Sequence, residues 1–265
     1  MILALDIGNT HIVMGCMEGR DIRYLCRMAT NRLTTGAEYA VTISRLLEFA
    51  HIAPDAFDGA IISSVVPQVT RSLSEAVKML SGIEPMVVGP DIRSDLTVRL
   101  DDPATLGSDL LVAAVGALDI YQPPLILVDM GTATTVTVVD ADGAFRGGAI
   151  IPGVQLSLSA LASHTSLLPS ISLDAPPRAI GTNTVDCMKS GSILGTALLP
   201  AGWPAVSSPS VPTRSCSTRI CCCTVWPCFT RRTSKKSSPR AAGAGTAFFS
   251  FRGGVTTPDS SPSPC

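Results

Sequence analysis

Two segments of the chain repeat one pattern, and that duplication restricts the possible folds more than any other feature. Residues 2–15 read ILALDIGNTHIVMG and residues 125–139 read LILVDMGTATTVTVV. Each is an apolar run, then Asp-x-Gly with hydroxyl residues close behind, then a second run rich in β-branched residues. That order predicts a hairpin whose turn gathers a carboxylate, a glycine and hydroxyls at one point. Gly8 and Gly131 let backbone N–H groups approach an anion closely, and Asn9, Thr10 and Thr132 add donors. Asp6 and Asp129 would repel a phosphate, so their natural partner is a metal ion that bridges to one. Two such loops imply a duplicated fold that grips a nucleoside triphosphate between its halves.

At 265 residues, the chain is long enough for two modest cores, so two domains are expected. Charge divides it unevenly. Beyond residue 200 eight Lys and Arg face one acid, Asp259, giving +7 there and −8 over residues 1–200, which together make the net charge of −1. Cys16, Cys26 and Cys187 are the only cysteines of the first 200 residues, which suits a reducing compartment. There is no basic leader before Asp6 and no uncharged apolar run of about 18 residues, so a cytoplasmic protein with no membrane partner is expected.

Residues 201–265 have a different composition, rich in Pro, Ser, Thr, Arg and Cys, with CCC, RR, KK and SPSP runs and no helical or strand period. The spacing of Cys216, Cys221, Cys222, Cys223, Cys228 and Cys265 fits no zinc pattern. The basic residues do not interleave with Trp226, Phe229, Phe248, Phe249 and Phe251 as a stacking surface for nucleic acid would need, so no nucleic-acid partner is expected. The reading is a low-complexity, disordered tail whose reading frame is lost near Leu199.

Between the repeats the elements alternate. A third strand is expected over residues 22–27, a helix over 38–50, a short buried strand over 59–63, a helix following Pro67, a strand over 86–88 and a helix over 104–119. A strand triplet followed by βαβα is the order of a ribonuclease-H-like half. Two clusters add chemistry. Asp109, in Leu106-Gly107-Ser108-Asp109, stands near a helix start, either as a cap or as a general base that takes the proton of an attacking hydroxyl. Residues 146–153, RGGAIIPG, read as a glycine-rich turn ending the second hairpin.

LDIGNT (5–10), LGSD (106–109), VDMGTATT (128–135), GGAIIPG (147–153) and IGTNT (180–184) occur together and in this order. On these residues the chain resembles the type III pantothenate kinases of the actin-like superfamily, from residue 1 to about 198. The resemblance implies an α/β protein of two ribonuclease-H-like (actin-like ATPase) domains, the second incomplete. Residues 1–118 would form the first, 119–199 part of the second, and 200–265 the tail. It implies ATP-dependent phosphorylation of pantothenate, the first step of coenzyme A biosynthesis, by a homodimer. Asp109 would be the base. Asp6, Ile7, Gly8, Asn9, Thr10, His11, Ile12 and Val13 would bind ATP, together with Thr132. Asp6 would hold its Mg²⁺, and Asp129 an activating monovalent cation, K⁺ or NH₄⁺. Gly107, Ser108, Asp109, Leu110 and Thr184 would contact pantothenate, Thr184 partly from the neighbouring subunit. A non-catalytic ATP-binding protein of the same fold is the alternative.

The chain also departs from that family. Leu110 stands where arginine is usual, which removes a bidentate donor for the substrate carboxylate, and Leu100 stands where an aromatic is common. Nothing after Leu199 matches the family's C-terminal helices and strand, and Gly253-Gly254 comes too late to be its adenosine loop. His11 and His51 read as structural or solvated, His164 as nearer the substrate. Ser63 and Ser64 lack the His/Asp partners of a nucleophile.

Overall fold

The computed structural model describes residues 1–89, 94 and 96–207, all within a unit that spans Met1–Thr233. The first repeat folds as expected. Strand β1 (Ile2–Ile7) pairs antiparallel with β2 (His11–Glu18), which pairs antiparallel with β3 (Asp21–Ala29). After helix α1 (Gly36–Phe49), β4 (Gly59–Ser64) returns parallel to β1, with Asp6 beside Ser63 and Ile7 beside Ser64. Helix α2 (Pro67–Ser81) then leads to the short β5 (Met86–Val87), and the sheet order is β3-β2-β1-β4-β5.

Alternation along β1 and β4 sorts the two faces. Leu3, Leu5, Ile7, Ala60 and Ile62 pack with Tyr39, Ile43, Leu47, Val69, Leu73 and Val77 of α1 and α2. Ala4 and Ile61 point the other way, into a second core with helix α3 (Ser108–Ile120), through Leu111, Val112, Ala114 and Ala117. Leu125, Leu127, Val139 and Phe145 of the second repeat join that same core. Helix α3 therefore lies between two sheets and belongs to both.

The second repeat gives β6 (Leu125–Met130), β7 (Ala133–Val139) and β8 (Phe145–Pro152), an antiparallel sheet in that order. Among the described residues it has no counterparts of the parallel β4 and β5. Two helices follow, α4 (Val154–His164) and α5 (Thr184–Ser207). The mixed α/β architecture is that of ribonuclease-H-like halves, the second represented among the described residues by its antiparallel hairpins and helices.

Two expectations are corrected. Residues 146–152 are not a turn but most of β8. Their glycines mark close backbone approach rather than a bend: a Cβ on Gly148 would sit 1.8 Å from the carbonyl oxygen of Val136 on β7. The patterned body also does not stop at Leu199, because α5 continues to Ser207. The remainder of the expected tail, including its cysteines and Gly253-Gly254, lies outside the described residues.

The β7–β8 turn is closed by Asp140. Its carboxylate accepts from the backbone N–H groups of Ala144 at 2.9 Å and Asp142 at 3.0 Å, and from Nε of Arg146 at 2.7 Å. The Ala144 N–H above all, helped by Arg146, holds this carboxyl below the usual carboxylate range. A depressed folded pKa stabilises above the unfolded value, about 4, and that contribution is lost as pH falls through the folded value. Asp140→Asn is therefore expected to lower Tm at pH 7. Thermal melts from pH 7 to 2.5 should show the gap closing below about pH 4.

Candidate active site

The two repeated loops look alike in sequence but differ in length. In the first, Ile7 pairs with Ile12 and the N–H of Gly8 bonds to the carbonyl of His11 at 3.0 Å, leaving four residues in the turn. In the second, Met130 pairs with Thr134 and the N–H of Gly131 bonds to the carbonyl of Ala133 at 3.0 Å, leaving three. The repeats therefore fall out of step immediately after the glycine. The loops nevertheless meet: the hydroxyls of Thr10 and Thr132 lie 2.7 Å apart, in hydrogen-bond contact. Asn9, Thr10, His11 and Thr132 are exposed, whereas Asp6 and Asp129 are half-buried at the strand ends behind them. Ile7 and Ile12 are fully buried and act through packing, with Val13 half-buried beside Asp6.

The first loop is braced by residues with no motif of their own. Thr30, just past β3, donates its hydroxyl to the carbonyl of Gly8 at 2.7 Å and its N–H to that of Thr10 at 3.0 Å. Arg32 donates to Oδ1 of Asn9 at 3.2 Å, which puts an exposed cation beside the first turn. The sequence signal for both was weak, since TNR after a strand is ordinary loop composition.

The second loop rests on Gly153. Its N–H donates to the carbonyl of Thr132 at 2.9 Å, and a Cβ there would lie 2.2 Å from the carbonyl oxygen of Gly131 and 2.5 Å from that of Thr132. Gly153 is also the N-cap of α4, so the positive end of that helix's dipole lies beside the loop.

Helix α3 carries Asp109 in its first turn. Its N-cap is Gly107 and no side chain caps it, so the cap reading of Asp109 fails. Asp109 stands one residue into the first turn, half-buried, and its Oδ1 lies 2.5 Å from where a Cβ on Gly107 would be. Only glycine at 107 leaves the carboxylate that position. Ser108 fixes the turn: its hydroxyl donates to the carbonyl of Ser64 at 2.8 Å and accepts from the Ser64 N–H at 3.2 Å. Just beyond, the N–H of Val65 bonds to the carbonyl of Ile7 at 3.1 Å. A short chain of hydrogen bonds thus links the first loop, the end of β4 and the start of α3. The hydroxyl of Ser64 accepts from Val66 and Thr70, which accounts for it structurally.

Leu110 and Leu100 both pack against the shared core. Thr184 is exposed at the start of α5, and Asn183 caps that helix, accepting from the N–H of Asp186 at 2.9 Å. His51 takes a left-handed backbone conformation, φ 55°, where α1 ends. Among the described residues no cluster of three or more His, Cys, Asp or Glu could hold a metal by itself, and no helix is long and apolar enough to cross a membrane. The carboxylates of Asp6 and Asp129 offer oxygen, the chemistry that hard cations take, and Mg²⁺ in particular is usually held by one or two carboxylates with water and phosphate.

The family of the chain follows from its relatives. The profile of the type III pantothenate kinase family matches residues 2–202. A type III pantothenate kinase of Bifidobacterium animalis subsp. lactis is 42% identical over 191 residues, 72% of this chain and 76% of that protein. One from Halalkalibacterium halodurans is 40% identical over 195 residues, 74% of this chain and 77% of its own. Among solved structures, a Sinorhizobium meliloti protein provisionally described as a 2-dehydro-3-deoxygalactonokinase superposes with a TM-score of 0.54 at 11% identity, over 90% of this chain and 99% of that one. That likeness speaks for the fold alone. The sequence relatives and the family profile go further, and the chain belongs to the type III pantothenate kinase family.

Proposed function

We propose that this chain transfers the γ-phosphoryl group of ATP to the primary hydroxyl of pantothenate with Asp109 as the general base. Family membership makes it a kinase of coenzyme A biosynthesis that uses ATP. The observation that supports the assignment of roles is the hydrogen-bonded path from Ile7 at the end of β1 through the end of β4 to Ser108, which ties the helix turn bearing Asp109 to the end of the sheet where the first loop begins. The two loops, touching through Thr10 and Thr132, would part to take the phosphates between them. Backbone N–H groups of Asn9 and Thr10 and the hydroxyl of Thr132 would bind phosphate oxygens, the N–H of Gly8 being held by the carbonyl of His11.

Asp6 would hold Mg²⁺ and Asp129 a monovalent cation, K⁺ or NH₄⁺, each half-buried at a strand end. These ions, when bound, neutralise charge on the transferring group. Residues 107–110 and Thr184 would position pantothenate. With Leu110 packed into the core, the substrate carboxylate must find another donor, and backbone N–H groups at the start of α3 are at hand. Asp109 would accept the hydroxyl proton as the oxygen attacks phosphorus.

The division at about residue 118 into two ribonuclease-H-like domains, a homodimer and a cytoplasmic location complete the proposal. Ile150, Leu167 and Ile180, all strongly exposed in the second half, are the kind of surface a second copy would cover. The reading without turnover is not favoured, since the matched relatives are named as kinases.

Pantothenate-dependent release of ADP, measured with and without K⁺, tests the proposal. Turnover that requires both pantothenate and the cation is expected. Hydrolysis indifferent to pantothenate would count against the substrate, and equal rates in Na⁺ alone against the cation.

A further inference from the structure

The hydroxyl of Ser63 is buried, with the residue 1% exposed, and has no hydrogen-bond partner. Such a group carries the full cost of a hydrogen bond given up to water and not remade. Its position is specific. Ser63 pairs with Asp6 across the parallel β1–β4 ladder, and paired residues on neighbouring strands, about 4.8 Å apart, share a face. That face is the one carrying Ala4 and Ile61, which packs toward α3, not the face covered by α1 and α2. The next residue, Ser64, holds the start of α3 through Ser108. The unmade hydrogen bond therefore lies beside the Asp6 carboxylate, under the helix turn that bears Asp109.

We propose that Ser63 is part of the nucleotide–cation site: its hydroxyl pairs with a water carried by the cation that Asp6 would hold. This rests on the reading of Asp6 given above and extends it by one residue. In the free protein the hydroxyl is left without a partner. A water on the ion, polarised by it, donates to the Ser63 oxygen on the face that Ser63 shares with Asp6, so the cost is relieved on binding. Ser63 is then a positioning residue for the ion, not a nucleophile.

The reading makes stability and binding move in opposite directions, which a purely structural serine would not. Ser63→Ala, with no ligand, is expected to raise Tm by about 2–6 °C, because an unsatisfied buried hydroxyl is removed. The same variant should bind ATP about 2–10-fold more weakly by calorimetry in Mg²⁺, and as tightly as the wild type in EDTA. Thr134 is the control, its hydroxyl also buried and unpartnered, at 2% exposure. It alternates with Thr135, the residue opposite Asp129, and so lies on the other face of the second hairpin. Thr134→Val should raise Tm without changing ATP affinity.

Unchanged Mg²⁺-dependent affinity in Ser63→Ala overturns the inference, whatever Tm does. Equal weakening in Mg²⁺ and EDTA also overturns it, in favour of a direct contact to phosphate. Wild-type protein that binds ATP no better in Mg²⁺ than in EDTA instead removes the cation reading on which the inference stands, and the inference with it.

Discussion

Asp109→Asn is expected to lower kcat by roughly 10²–10⁴-fold, the usual contribution of a positioned general base. Asparagine keeps the shape of the side chain beside Gly107 but cannot take the proton of an attacking alcohol. ATP affinity should be unchanged, because Asp109 sits on α3 while the loops proposed to bind phosphate lie on the two hairpins. A small loss of stability accompanies the change, since a carboxylate in the first turn of a helix contributes about 0.3–1 kcal/mol. Steady-state kinetics with a parallel ATP titration separates these effects. A kcat within ten-fold of wild type would remove Asp109 as the base. Gly107→Ala makes the complementary test: the added Cβ would occupy space 2.5 Å from Oδ1 and turn the carboxylate away while leaving its charge in place. It should reproduce much of the kinetic loss with ATP affinity intact.

The second large effect is expected at Gly153. A methyl group there meets two backbone carbonyl oxygens, at 2.2 and 2.5 Å, and neither belongs to a side chain that could swing aside. Either the second loop or the start of α4 must move, and the Gly153–Thr132 hydrogen bond is lost with it. Gly153→Ala should therefore weaken ATP binding by at least ten-fold and destabilise the protein by about 1–3 kcal/mol, the range for overpacking a tight site. Calorimetric titration with ATP and a thermal melt test both. Wild-type affinity would mean that the second loop does not bind nucleotide.

The proposed roles at Asp6, Asp109 and Asp129 were legible because chemistry of this kind needs particular residues at particular spacings. Glycine beside a carboxylate between two β-rich runs has few other uses, and the five motifs in order pointed to one family. Residues 146–152 were misread because glycine content marks both bends and close approach, and only the partner strand tells which. Helix α4 was not among the expected elements, although Val154, Leu158 and Leu161 of VQLSLSALASH recur at helical spacing. Thr30, Arg32 and Ser64 carry no motif, because each acts through a partner distant in the chain or on the backbone alone.

The sequence by itself determined the duplicated hairpins, the order of strands and helices in the first half, the family and the candidate catalytic carboxylate. These follow from hydrophobic period and from residue types that tolerate little substitution. The tertiary structure alone decided that the second loop is a residue shorter, that the loops touch through Thr10 and Thr132, and that α3 serves two sheets. It also decided that Ser63 has no partner on the face of Asp6. Those facts depend on strand register and on which atoms meet across distances of 40 to 120 residues, and no local pattern encodes them.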